Sequence, residues 1–443
     1  MNSLSEYIKL IPAERNAYIS KDTILTYGDL VSLGSANKKA LEILKGSCVV
    51  IQVNKRLDFA VLLSVLDGNV KRIVFLPEDI SEEQFLSYCG QTSAEYEVRL
   101  SGNDIVVSEI ADAVKIADDI ADTQWVIPTS GTTKTPKLVI HTFASLTRTT
   151  KQDISKGSEY VWGLTFDIFR FSGIQVMLQS VLGGSSMVIP ESDSSVSAAA
   201  ELFSRFGCNV ISATPSYWRK MLMSNESYNL KLKRITLGGE IVDDFILKSL
   251  KNRFENAKII HIYASTEAGV GFSVVDGRAG FPYDYIVNGV GNINLKISSK
   301  NTLMIRPNLR SQKYVEQDNM FDEKGFIDTG DILQVKQDRV YFLGRDSGAI
   351  NVGGNKVQPE EVEHTLLASG IVEYAYVYAK KSSLMGSLVC ADVILSGIQT
   401  NTAEATKSLT EFCRNNLEGF KVPAFIKVVK DIAINNNGKL IRK

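Results

Sequence analysis

Short apolar runs rich in β-branched residues recur along the chain, each beside a stretch with helical spacing. Residues 48–53, 72–76, 186–189 and 258–262 carry the strand pattern. Apolar positions at i, i+3 and i+4 predict helices over 59–66 and 198–206. Strands alternating with helices predict an α/β architecture of layered, mostly parallel sheets. From about Leu295 the texture changes to short strands with turns, at 303–305, 332–335 and 339–343. That predicts a β-rich, mixed or antiparallel module. A helix is expected over 359–367, because Pro359 suits a first helical turn and Glu360 and Glu361 follow it. The remainder reads as a small α+β unit. The expected division is a large N-terminal domain over 1–345 and a small C-terminal lid over 346–443, hinged in the segment Gly344-Arg345-Asp346-Ser347-Gly348.

Composition narrows the function classes. Of 443 residues, 44% are hydrophobic and 22% charged, which is ordinary globular content. Lysines and arginines number 49 against 50 acidic residues, and the two signs are interspersed. Neither a nucleic-acid footprint nor an acidic tail is present, so no nucleic-acid partner is expected. No apolar run approaches the roughly 18 residues of a membrane helix, and the N-terminus lacks the apolar core of a signal peptide. The five cysteines are odd in number and stand in no metal-ligand spacing, so they read as buried free thiols. A cytoplasmic location is the expectation. Oligomeric state has no signature in the sequence.

Candidate chemistry concentrates in residues 126–137, Val-Ile-Pro-Thr-Ser-Gly-Thr-Thr-Lys-Thr-Pro-Lys. An apolar run feeds a loop with many hydroxyls, a glycine and two lysines. Main-chain N–H groups, hydroxyl donors and positive charge together suit a polyphosphate. The spacing does not fit G-x-x-x-x-G-K-[ST], which disfavours a nucleotide-hydrolysing P-loop protein. Alone, the loop would read equally well as a solvated Ser/Thr turn.

Its company decides. Thr129-Ser130-Gly131-Thr132-Thr133-x-x-Pro136-Lys137 closely resembles the phosphate loop of the acyl-adenylate-forming superfamily, which includes acyl-CoA synthetases, aryl-acid ligases and peptide-synthetase adenylation domains. Further segments resemble that family's motifs, in its order. Leu237-Gly238-Gly239-Glu240 is similar to the adenine-pocket turn. Tyr263-Ala264-Ser265-Thr266-Glu267 is similar to Tyr-Gly-x-Thr-Glu, and Asp328-Thr329-Gly330-Asp331 to the Thr-Gly-Asp motif. Gly344-Arg345, 350–354 and 359–363 resemble the hinge and the start of the lid. Asn437-Gly438-Lys439 resembles the terminal Gly-Lys motif. The likeness runs over nearly the whole chain.

The resemblance implies ATP-dependent activation of a small carboxylic acid as its acyl-AMP with release of pyrophosphate, followed by transfer to a thiol. ATP, Mg²⁺ and either CoA or a carrier protein's phosphopantetheine are the implied cofactors and acceptors. Thr129, Ser130, Gly131, Thr132, Thr133 and Lys137 would cradle the triphosphate. Thr266 would contact the α-phosphate, and Glu267 would hold Mg²⁺, a hard ion suited to carboxylate and phosphate oxygens. Gly238, Gly239 and Glu240 would border the adenine, Tyr263 would stack on it, Asp331 would bond the ribose, and Arg345 would reach ribose or phosphate. Lys439 would bridge the acid's carboxylate and the α-phosphate. Alone, a lysine in an Asn-rich tail would read as solvated. Gly353 and Gly354 would line the thiol's approach. The acid pocket is expected around Phe169, Arg170, Ser172 and Gly173, with the Ala213-Thr214-Pro215-Ser216 region and the Gly238-Gly239 turn; Arg170 either faces a polar or anionic group of the acid, or faces solvent or pairs with Asp167.

The chain also departs from the family pattern. Lys134 and Leu138 stand where glycines are usual, Ala264 replaces another glycine, and Ser347 occupies the hinge. Transfer to CoA, transfer to a carrier protein, and a catalytically inactive nucleotide-binding relative are the readings these residues leave open.

Overall fold

The computed structural model describes residues 3–76, 80–111, 122–128, 138–265, 269–307, 313–314, 321–382, 386–397, 402–435 and 438–440. The helix Arg56–Leu66 sets the architecture, because nine of its eleven residues are buried. A helix apolar on every side must be covered on every side. Here two sheets supply the cover. One core unites Phe59, Leu62 and Leu63 with Val49, Ile51, Ile73 and Phe75 of the first sheet and Tyr18, Leu164 and Met187 of the second. The helix Phe171–Leu182 shares that layer.

The first sheet has seven strands. Cys48–Ile51, Arg72–Phe75, Tyr96–Ser101 and Gln124–Pro128 pair parallel, and antiparallel strands flank them on both sides. The second has eight. Its parallel centre includes Val161–Leu164, Val210–Ala213, Arg234–Gly238 and Lys258–Ser265, and Gly269–Val274 closes one edge antiparallel. The helices Val196–Arg205, Pro215–Met223 and Asp244–Arg253 cover its outer face over a second core built on Trp218, Phe203 and Leu250. The sheets are therefore mixed, with parallel centres. The expected β-rich module is a five-stranded antiparallel sheet that begins at Phe281, somewhat before Leu295.

The C-terminal part builds its own five-stranded sheet and its own core, from Ile350 and Val352 to Leu409 and Cys413. Its first helix is Pro359–Ala368, with Pro359 in the first turn. All five cysteines are buried free thiols. Among the described residues no helix is long and apolar enough to cross a membrane.

The N-terminal segment is fastened by one buried carboxylate. Asp67, at the end of the helix Arg56–Leu66, accepts the Leu4 N–H at 2.6 Å and the Trp125 Nε1–H at 2.7 Å. Burial outweighs both hydrogen bonds and pushes its carboxyl up to about 7. The folded protein then keeps a proton that the unfolded chain releases above about pH 4. Unfolding sheds that proton, so this group's contribution to stability falls as pH rises from about 4 to 7. Asp67→Asn is expected to flatten that slope, read as denaturation midpoints of both proteins between pH 5 and 7. Parallel slopes would assign the dependence to another group.

Candidate active site

Three neighbouring parallel strands end side by side. Ala213 stands opposite Leu237, Leu237 opposite His261, and Gly238 opposite Ile262. Thr214 and Gly239-Glu240 follow the first two strands, and the third runs on beside them through Tyr263–Ser265. In open α/β sheets ligands bind at such carboxyl ends. Close strand packing explains Gly238, where a Cβ would meet Ile262 Cγ1 at 2.9 Å.

On one side of this edge lies a polar cluster with an aromatic wall. The Tyr263 ring runs nearly parallel to Phe272, at 5.4 Å and 13°, and to Phe342, at 5.2 Å and 4°. Its hydroxyl donates to Asp331 Oδ2, and burial, then the Asp331 charge, hold it well above the usual phenol range. Arg345 Nε donates to Asp331 Oδ1 at 2.8 Å. The two residues are opposite one another in the antiparallel pair Ile327–Lys336 and Arg339–Arg345, so register alone places them together. A carboxylate offers about four acceptor sites. Those two contacts leave capacity for the vicinal hydroxyls of a ribose.

On the other side lies the C-terminal tail. Gly438 N–H donates to Asn435 O at 2.8 Å, Asn435 N–H to Lys439 O at 2.8 Å, and Lys439 N–H to Asn435 Oδ1 at 3.0 Å. This tight loop docks on the strand ends. The Thr214 hydroxyl donates to Gly438 O, and Leu440 N–H donates to Glu240 Oε1 at 3.0 Å. Ile434 packs on the second core, and Lys220 pairs with Asp431 at 2.8 Å. The lysine lies over Gly239, where a Cβ would come within 3.1 Å of Lys439 Cε. Both glycines are required by their backbones, with φ of 81° at Gly239 and 71° at Gly438. At Gly438 a Cβ would also crowd Thr214 Oγ1 at 3.2 Å and Tyr217 Cβ at 3.3 Å.

The structure thus gathers Gly238, Gly239, Glu240 and Lys439 on one side of the strand ends and Tyr263, Asp331 and Arg345 on the other. It places other expected site residues elsewhere. Phe169 is 3% exposed and packs edge-on against Phe59 in the first core. Gly173 is a packing glycine, because a Cβ there would lie 2.2 Å from Asp167 O. Ser172 is half-buried. Arg170 Nη1 donates to Pro128 O at 3.3 Å, at the root of the 129–137 segment, and Nε lies 3.8 Å from Asp167 Oδ2. The pairing with Asp167 is therefore present. Gly353 and Gly354 form the exposed two-residue turn between Ile350–Val352 and Asn355–Val357, with φ of 58° and 90°, as a type I′ hairpin demands. Leu138, one departure from the family pattern, is a buried strand residue opposite Pro128. Thr129, Ser130, Gly131, Thr132, Thr133, Lys137, Thr266 and Glu267 lie outside the described residues.

Among the described residues no group of three or more His, Cys, Asp or Glu could hold a metal ion. An Mg²⁺ carried by nucleotide phosphates needs only one or two protein carboxylates. Sequence reasoning overlooked Phe272 and Phe342, which carry no motif. It took Thr214 only as part of a pocket region; the Thr-Pro step marks it as a helix cap, which it is, accepting Tyr217 N–H at 3.1 Å. Gly239→Ala is expected to strain the turn and displace Lys439, lowering acid-dependent ATP–pyrophosphate exchange at least tenfold with the fold intact by circular dichroism. Unchanged exchange would show that the turn tolerates a side chain beside the lysine.

Known proteins match the chain over nearly all of its length. The family model for AMP-binding enzymes matches residues 46–293, more than half of the chain, and that for their C-terminal domain matches 361–439. The 2-succinylbenzoate–CoA ligase of Bacillus velezensis is 25% identical over 447 residues, covering 96% of this chain and 89% of that protein. The D-alanine–D-alanyl carrier protein ligase of Staphylococcus aureus is 24% identical, covering 86% and 82%. The anthranilate CoA ligase AuaEII, solved with anthranoyl-AMP, shares the fold with a TM-score of 0.76 at 16% identity, over 99% of this chain and 95% of that one. On its family matches, this chain belongs to the AMP-binding enzymes.

Proposed function

We propose that this AMP-forming acid–thiol ligase activates a compact carboxylic acid on ATP and passes the acyl group to the thiol of coenzyme A. The observation that carries the reading is the docked tail, which sets Lys439 over Gly239, across the strand ends from the Tyr263, Asp331 and Arg345 cluster. One carboxylate oxygen bonds to the α-phosphorus as the bond to pyrophosphate breaks. The two reactants are both anions, and charge builds at phosphorus in the transition state. A fixed cation and aimed donors therefore matter more than an acid–base pair. The Lys439 ammonium offsets the repulsion, Asp331 takes the ribose hydroxyls, and Tyr263 with Gly238–Glu240 borders the adenine. An Mg²⁺ ion on the triphosphate, held by Glu267, would neutralise phosphate charge; Thr129–Thr133 and Lys137 would hold the phosphates and Thr266 the α-phosphate.

In the second step the thiol sulfur bonds to the acyl carbon and AMP leaves. The lid, residues 346–443, turns about the segment 344–348 so that the Gly353–Gly354 turn faces the thiol's path. Relatives that charge CoA and relatives that charge a carrier protein both match this chain. A carrier protein's phosphopantetheine is accordingly the second acceptor to test. The acid lies on the side of Arg170 and Ser172, beside the root of the phosphate segment.

ATP–pyrophosphate exchange across small aliphatic, hydroxy and aromatic acids tests the reading. Acid-dependent exchange is expected, with an acyl thioester formed once CoA or a carrier protein bearing free phosphopantetheine is added. Exchange that stays silent across the panel while ATP still binds contradicts it. Lys439→Ala is expected to cut exchange by about two to three orders of magnitude with ATP binding little changed.

A further inference from the structure

We infer that Thr214 and Glu240 are positioning residues that latch the Lys439 loop for adenylation; the inference rests on the adenylating role proposed for Lys439. The latch grips the backbone on both sides of the lysine. Thr214 Oγ1 bonds the carbonyl of the residue before it, and Glu240 Oε1 accepts the N–H of the residue after it. With Gly438 and Leu440 both held, the Cα of Lys439 has a fixed place over Gly239, and its ammonium a fixed range.

Each half of the latch is itself braced by one helical turn. Thr214 caps the helix Pro215–Met223 by accepting Tyr217 N–H at 3.1 Å. Glu240 Oε2 accepts Ser216 N–H of the same turn at 3.0 Å. The helix end thus orients both side chains, and its partial positive charge steadies the carboxylate. The bond from Leu440 N–H to Glu240 is charge-assisted, so it is stronger than a neutral pair.

The latch also suits a lid that must leave. Glu240 is only half-buried, so its freed oxygen can bond water when the tail withdraws. Two hydrogen bonds are enough to bias the lid toward the adenylating arrangement without trapping it there. A weakened latch lowers the fraction of enzyme with Lys439 in place and leaves the thiol step, which uses the other arrangement, untouched.

The test separates the two half-reactions in the full chain, using an acid found by the exchange panel and its preformed acyl-adenylate. Thr214→Val is expected to lower acid-dependent exchange about tenfold, with thioester formation from added acyl-adenylate within twofold of wild type; Glu240→Ala, at a residue that also borders the adenine, is expected to lower exchange about tenfold more than it lowers thioester formation. Thr214→Ser, which keeps the hydroxyl, is expected to restore exchange. A role confined to the helix cap would lower both half-reactions together, and that result overturns the latch. Should Thr214→Val fail to fold, Glu240→Ala decides. Lys439→Ala in the same assays separates the two claims. If it too keeps full exchange, the role of the lysine is wrong. If it abolishes exchange while the latch variants keep theirs, the lysine stands and the latch falls.

Discussion

Joining a carboxylate to a polyphosphate forces two anions into contact, and the protein must supply a cation at the point where they meet. At about 4 Å, two like charges repel by roughly 1 kcal/mol in water and by several times that near a protein surface. In the proposed chemistry Lys439 meets that demand from the far end of the chain. Its value depends on position rather than charge alone. Position comes from the tail's hold on Thr214 and Glu240 and from the bare backbone at Gly239.

The fold supplies the platform for that hold. Parallel strands Val210–Ala213, Arg234–Gly238 and Lys258–Ser265 pair in register, so Thr214, Gly239 and Tyr263 stand together at one edge. The helices Val196–Arg205, Pro215–Met223 and Asp244–Arg253 pack against these strands in the second core. The antiparallel module then brings Asp331 and Arg345 up to Tyr263 through cross-strand pairing. The C-terminal unit has its own core, yet Ile434, Gly438 and Leu440 of its tail lie on the N-terminal sheet's strand ends and second core. A separately cored body whose tail docks through hydrogen bonds, an ion pair and the apolar contact of Ile434 can dock and withdraw, as the proposed two-step chemistry asks.

Much of this was legible in the chain. Buried parallel strands such as Cys48–Ile51 and Arg72–Phe75 read clearly, because burial on both faces leaves uninterrupted apolar, largely β-branched runs. The hairpin Tyr96–Ser101 and Asp104–Glu109 went unread, since half-exposed strands give a weaker pattern, although its Gly102-Asn103 turn was a usable cue. Motif residues Gly239, Tyr263, Asp331 and Lys439 were found by resemblance. What Glu240 and Thr214 do was not legible, because their tail partners stand 200 and 224 residues away. Phe169 read as a pocket wall because aromatics cluster around it, whereas its ring fills the core against Phe59. Local pattern reveals burial; it does not say which neighbour does the burying.

The most direct test follows the acid's own oxygen. The chosen acid, carrying ¹⁸O in both carboxylate positions, is turned over with ATP and CoA, and the products are weighed by mass spectrometry. One ¹⁸O in AMP and the other in the thioester carbonyl is the expected result, since the acid's oxygen bonds to the α-phosphorus. Label in inorganic phosphate or pyrophosphate, or none in AMP, would mean that activation proceeds through another phosphorus and would contradict adenylation at this site.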